Sequence, residues 1–283
     1  MSSFSITIIN DGILTVKRDP DSSLFEKFRS IKKMSEIKLG VYCYLVEIDG
    51  ITFLLDSGKG DKFKENGFGK YSFNDNRSVR KTLLNSGIDP ESISCVINTH
   101  LHFDHCGGNT FIEDEEIVPS FPNAKYFVQK KEYEYAKKRA PFTNSYLVEN
   151  FEPVEEANLL EIIDGDYKLG EEIFLRFCGG HTPGLMIVSI RYKDRYYHFT
   201  ADLLPTRHHI RLNSPAGVDV DPQKLKQFKN KFLSEIADRG DLLFFYHSNQ
   251  PECGMVINKE GKFVYRRESI GENPFIKVIG ENL

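Results

Sequence analysis

The chain is 283 residues long, with 37 Lys+Arg against 41 Asp+Glu and a formal net charge of −4. That balance disfavours nucleic-acid binding, which usually leaves a basic excess, and no run approaches the roughly 20 apolar residues of a membrane span. Residues 1–20 carry only the short apolar cluster from Ile6 to Ile9, broken by Asn10 and Asp11, so no signal peptide is expected and a cytoplasmic location is.

Residues 5–9 and 13–17 flank Asn10-Asp11-Gly12 and predict a first hairpin; residues 41–48 and 51–56 flank Asp49-Gly50 and predict a second. The charged stretch 19–38 between them reads as an excursion over the surface. Helical spacing of Val79, Leu83 and Leu84 predicts a helix over 78–86, ending near Gly87. The apolar run within 92–98 reads as a buried strand, and residues 99–109 follow at its C-terminal end. A strand over 125–128 and a helix over 129–138 with a charged outer face come next, then an irregular aromatic stretch over 142–158. Short strands resume at 160–163, 173–178, 185–192 and 196–200. A helix over 222–238 precedes strands at 241–246, 254–257 and 262–265.

This order fits two packed sheets covered by helices outside, an α/β sandwich. No Gly-x-Gly-x-x-Gly follows a strand, so a dinucleotide site has no support. Without repeats or a Pro/Ser-rich linker, residues 1–283 read as one domain, with an insertion at about 111–158. The five cysteines (Cys43, Cys95, Cys106, Cys178, Cys253) form no C-x-x-C pair and are expected as buried free thiols.

The chemistry concentrates in Thr99-His100-Leu101-His102-Phe103-Asp104-His105-Cys106-Gly107-Gly108-Asn109. Just after a strand, His100 and His102 point the same way at period 2. Asp104 and His105 come from the turn that follows, and Gly107-Gly108 lets the backbone pass close. Several imidazoles and a carboxylate crowded together are costly without partners; two adjacent metal ions take the lone pairs and neutralise the carboxylate.

His100-x-His102-x-Asp104-His105 resembles the H-x-H-x-D-H signature of the metallo-β-lactamase superfamily. Leu54-Leu55-Asp56-Ser57-Gly58, Gly180-His181-Thr182-Pro183-Gly184, Phe199-Thr200-Ala201-Asp202 and Phe244-Phe245-Tyr246-His247 resemble its further motifs, in order. The resemblance spans about 41–247 and implies a four-layer αββα sandwich with metals at one edge of the two sheets. It implies that His100, His102 and His181 hold one ion, that Asp104, His105 and His247 hold a second, and that Asp202 bridges them. The donors suit Zn²⁺ and admit Mn²⁺, Fe²⁺ or Co²⁺. Cys106 is offset from the ligand pattern and is not expected to ligate. Asp56 is expected to orient a ligand imidazole and His198 to be structural, while His208 and His209 match no motif position and are only candidates for the pocket wall.

Two such ions make a shared water nucleophilic and stabilise an oxyanion, with Asp104 and Asp202 as the catalytic carboxylates and Asp104 shuttling a proton. The segment 111–151 and the run Ala201-Asp202-Leu203-Leu204-Pro205-Thr206 are similar to the branch of N-acyl homoserine lactone lactonases, quorum-quenching lactonases and methyl parathion hydrolase. Well-known acyl-homoserine lactonases of that branch carry a Tyr three residues after the bridging Asp, which other members of the branch lack; here the position is Pro205, and Tyr146 is a candidate substitute. A neutral lactone is the expected substrate, with organophosphate triesters and glyoxalase II-like thioesters as alternatives. A mononuclear iron enzyme of the persulfide dioxygenase kind is the alternative of a different class. Apolar residues in 19–38 and 141–151 (Phe142, Tyr146, Phe151) suggest a homodimer. The expected partner is otherwise a small molecule, with neither nucleic acid nor membrane.

Overall fold

The structure is a computed structural model describing residues 3–17, 36–62, 71–73, 76–211 and 219–280. In chain order, β1 (Phe4–Lys17), β2 (Glu36–Ile48), β3 (Ile51–Leu55) and β4 (Tyr71–Phe73) precede α1 (Val79–Asn85) and β5 (Cys95–Ile97). Then come α2 (Phe103–Cys106), β6 (Thr110–Glu113), β7 (Glu116–Pro119), β8 (Lys125–Gln129), α3 (Lys130–Arg139) and α4 (Glu152–Glu156). The second half holds β9 (Leu160–Ile163), β10 (Tyr167–Leu169), β11 (Ile173–Phe177), β12 (Met186–Tyr192) and β13 (Arg195–Phe199). It closes with α5 (Pro222–Ile236), β14 (Leu242–Phe244), β15 (Cys253–Lys259), β16 (Lys262–Glu268) and β17 (Ile276–Ile279).

The strands form two large sheets. One has the order β17-β1-β2-β3-β5-β8-β9 with β4 added on β1; the other runs β10 to β16 in sequence order. The central strands of each are buried on both faces, which is why they are nearly continuous apolar runs. In β2, Tyr42, Tyr44 and Val46 enter the core between the sheets, while Val41, Cys43 and Leu45 face the outer layer with α1 residues Val79 and Leu83. In β12, Met186, Val188 and Ile190 face inward and Ile187 faces outward, toward Leu225, Phe232, Leu233 and Ile236 of α5. That last set recurs at helical spacing, giving α5 one apolar stripe. Asp221 caps α5 by accepting from Lys224 N, with Pro222 in the first turn. The result is the expected α/β architecture of four layers, αββα. No helix among the described residues is long and apolar enough to cross a membrane.

The hairpin at Asp49-Gly50 is present: β2 and β3 pair antiparallel up to Ile48↔Ile51, with φ of 48° at Asp49 and 81° at Gly50. The first predicted hairpin is not. β1 runs straight through Asn10-Asp11-Gly12 and pairs along its length with β2, with a register shift between Asn10 and Ile13. The turn chemistry is used for a bulge, where Gly12 N donates to Asn10 Oδ1 at 3.0 Å. Most of the 19–38 stretch lies outside the described residues, and its end, from Glu36, already belongs to β2. The strands β4, β6, β7, β10 and β17 add to the expected set. β8 lies inside the segment read as an insertion and is a full member of the first sheet.

Phe142 is 78% exposed, but Tyr146 and Phe151 are not, at 3% and 1%. They pack with Leu101, Val128, Tyr133 and Ala136. This corrects the expectation that all three lie at the surface: the aromatic segment folds back to cover the His100–His105 loop.

Candidate metal centre

Two parallel strand pairs aim their C-terminal ends at one place. β3 pairs β5 in the first sheet and β13 pairs β14 in the second. Asp56 follows β3, His100 to His105 follow β5, Asp202 follows β13 and His247 follows β14. His181 arrives on the loop between β11 and β12. The ends of β3 and β5 are stitched together: Ser57 N donates to His105 O at 2.8 Å, and Gly108 N to Gly58 O at 3.1 Å. Gly58 has φ +78°, and a Cβ there would lie 2.2 Å from Asp11 Oδ2, so only glycine fits.

His100 Nε2 lies 3.0 Å from His102 Nδ1, which lies 3.2 Å from His181 Nε2. Asp202 reaches both halves of the cluster. Its Oδ2 is 3.0 Å from His181 Nε2, and its Oδ1 is 3.4 Å from both His105 Nε2 and His247 Nε2. Asp104 Oδ2 is 3.6 Å from His247 Nε2. The far nitrogens are held from outside. His105 Nδ1 meets Asp56 Oδ2 at 2.8 Å, His181 Nδ1 meets Asp219 Oδ1 at 2.9 Å, and His247 Nδ1 donates to Gly40 O at 2.9 Å. Asp56 also accepts from Thr99 N and Thr99 Oγ1, both at 2.7 Å. Tyr246 stacks on His105 with ring centroids 3.8 Å apart and donates to Asp104 O at 2.7 Å.

Burial works against charge throughout. It pushes His100 and His102 well below the ordinary imidazole range, helped by neighbouring histidines. Burial acts on His105 and His181 too, but Asp202 with Asp56 raises His105, and Asp202 with Asp219 lifts His181 to about 9. Burial also opposes ionisation of Asp202, yet His181, His247 and His105 hold its carboxyl well below the usual carboxylate range.

The residues fit divalent cations. His100, His102 and His181 form one group of donor atoms within 4.8 Å of one another; His100, His105 and Asp202 form a second, and Asp104, His105 and His247 a third. His105 Nε2 and Asp202 Oδ1 are buried with no hydrogen-bond partner, which is costly unless an ion satisfies them. The donors are imidazole nitrogen and carboxylate oxygen without sulfur, a set suited to zinc.

All seven predicted ligand residues meet here. Cys106 does not: its Sγ donates to Leu101 O at 3.4 Å, and all five cysteines are buried free thiols. His198 is internal to the second sheet, 2.8 Å from Ser189 Oγ and stacked on Tyr196. His208 is exposed, while His209 is half-buried with its Nδ1 3.0 Å from Thr206 Oγ1. Sequence reasoning missed Asp219 and Glu132. Nothing in the spacing ties Asp219 to His181. For Glu132 a signal existed, since it shares a helix face with the buried Tyr133 and Ala136.

A family model described as the metallo-beta-lactamase superfamily matches residues 37–247. An N-acyl homoserine lactonase of Bacillus cereus is 28% identical over 239 residues, which cover 79% of this chain and 87% of that protein. Among solved structures, a probable metal-dependent hydrolase from Staphylococcus aureus superposes with a TM-score of 0.79 at 20% identity, covering 94% of this chain and 97% of that one. AidC, a dizinc quorum-quenching lactonase, superposes with a TM-score of 0.72 at 22% identity, covering 94% and 95%. At these identities the two superpositions speak for the fold.

Proposed function

Since the chain belongs to the metallo-β-lactamase superfamily, we propose that it is a two-metal hydrolase that opens neutral lactones, N-acyl homoserine lactones foremost. The observation that carries this reading is the convergence of seven nitrogen and carboxylate ligands with buried, unpartnered atoms at their centre. The similarity to N-acyl homoserine lactonases supports the substrate class.

In this reading His100, His102 and His181 hold one ion, Asp104, His105 and His247 the other, and Asp202 spans both. Zinc is the preferred ion, with manganese, iron and cobalt admitted by the same donors. Divalent ions bound there supply Lewis acidity toward a carbonyl oxygen and a nucleophilic water at neutral pH. The protein's own groups do the rest. Asp56, Asp219 and Gly40 O fix the imidazoles of His105, His181 and His247, so those ligand atoms need little reorganisation. Asp104 is the carboxylate that would take the proton released by the attacking water and return it to the departing alkoxide of the ring.

Pro205 occupies the position where related lactonases carry a tyrosine, and its carbonyl accepts His247 N at 2.8 Å. Tyr146 offers its ring to the site, 4.9 Å from that of His102, while its hydroxyl turns away to Glu132 Oε1 at 3.3 Å. The Tyr146 ring gives the site an apolar neighbour, which suits an acyl chain better than an anionic group.

The single-domain reading of 1–283 is supported by the core shared between the two sheets. A homodimer now rests on Phe142 rather than on Tyr146 and Phe151, and sedimentation at micromolar concentration tests it. A cytoplasmic location belongs to the same proposal.

The test is a substrate panel on the zinc- and manganese-loaded protein, with acyl-homoserine lactones, phosphotriesters and lactoylglutathione. Lactones should turn over fastest. Thioesters faster by a hundredfold would overturn the substrate class and leave the metal chemistry standing. One iron per chain with oxygen consumption would overturn both.

A further inference from the structure

Glu132 lies on α3, outside every motif, yet its side chain is fully buried. Its two oxygens serve different loops. Oε1 accepts from Leu101 N at 3.0 Å, and Oε2 accepts from Gly184 N at 3.0 Å. Leu101 stands between His100 and His102; Gly184 is in the loop of His181. The contact is close enough that a Cβ on Gly184 would lie 2.3 Å from Glu132 N. Tyr146 adds a third hydrogen bond to Oε1 at 3.3 Å.

A carboxylate taken out of water is costly, and an apolar side chain would fill the same volume at less cost. What the carboxylate offers is two acceptor atoms in one rigid plane. It ties the loop after β5, from the first sheet, to the loop before β12, from the second. Those loops carry all three residues of the His100, His102 and His181 group. The Asp104, His105 and His247 group is braced separately, by Asp56, Gly40 O and Tyr246.

We infer that Glu132 is a positioning residue for the His100, His102 and His181 group, setting the distance between the two ligand loops and so the affinity of that site alone. The inference rests on the two-metal reading. Glu132→Gln keeps the shape but replaces one acceptor with an amide donor, which then faces a backbone N–H of Leu101 or Gly184. Both are donors, so one loop is released. Glu132→Asp is too short to span both loops and should act the same way.

The experiment is zinc titration of the full chain against a chromophoric chelator, alongside thermal melting of the metal-free protein. The wild type should bind two ions. In Glu132→Gln and Glu132→Asp one binding step should weaken by about 10- to 100-fold, while the other step and the cooperative melt of the metal-free protein persist. Two unchanged steps, or two that weaken in parallel, would overturn the positioning role and leave the two-metal reading intact. If neither variant melts cooperatively, Glu132 serves folding and the inference fails. A wild type that binds fewer than two ions removes the reading on which it rests.

Discussion

Asp56 Oδ2 accepts the Nδ1 hydrogen of His105 at 2.8 Å, and this contact decides that Nε2 is the nitrogen turned toward Asp202. The carboxylate comes from the end of β3 and the imidazole from the turn after β5, so the orientation depends on the parallel pairing of those strands. Asp56→Asn keeps the volume and removes the charge. Metal affinity should fall by about 10- to 100-fold, measured by chelator competition. Affinity equal to the wild type would mean that His105 is oriented without Asp56.

Asp202 touches both halves of the cluster, and His181 is the proposed ligand that the second sheet contributes ahead of it. Metal analysis of protein purified without chelator should give about two ions per chain. Asp202→Ala and His181→Ala should each raise the barrier to hydrolysis by several kcal/mol, read as kcat/KM on the best substrate of the panel. Wild-type turnover in Asp202→Ala would end its assignment as the bridge.

The five cysteines offer a test of the core. Burial pushes Cys95 and Cys253 up to about 12, and it raises Cys43, Cys106 and Cys178 as well. Thiolate is the reactive form. At pH 8 the native protein should therefore leave a disulfide reagent unreacted on the minutes timescale, and the denatured protein should titrate five thiols. Fast reaction of Cys106 in the native state would contradict its place behind the His100–His105 loop.

Lys62 donates to Gly107 O and Thr110 O, just beyond the His105 turn. Burial pushes its ammonium down to about 8, against roughly 10.4 in an unfolded chain. Between those values the unfolded state binds the proton and the folded state does not, so this group makes stability rise with pH. The unfolding free energy of the wild type relative to Lys62→Met should therefore increase from pH 8 to pH 10.5, by denaturant titration at both values. Titration of other side chains cancels in the difference. A flat difference would mean that Lys62 sits in water.

Chain-local geometry made much of this legible. Short apolar runs marked the strands, Asp49-Gly50 marked a hairpin, and His100, His102, Asp104 and His105 within six positions marked a candidate metal site. Such features depend on neighbours in sequence, whose relative positions the backbone constrains. Other features depended on which strand arrives beside which. Asn10-Asp11-Gly12 has the chemistry of a turn and becomes a bulge, because β2 pairs along the whole of β1. Tyr146 and Phe151 have the composition of a surface loop and become core, because the segment folds back over Leu101. Glu132 and Asp219 meet their partners across 31 and 38 residues. No spacing rule reaches that far, and only the packing of α3 and of the two ligand loops brings those carboxylates to the groups they hold.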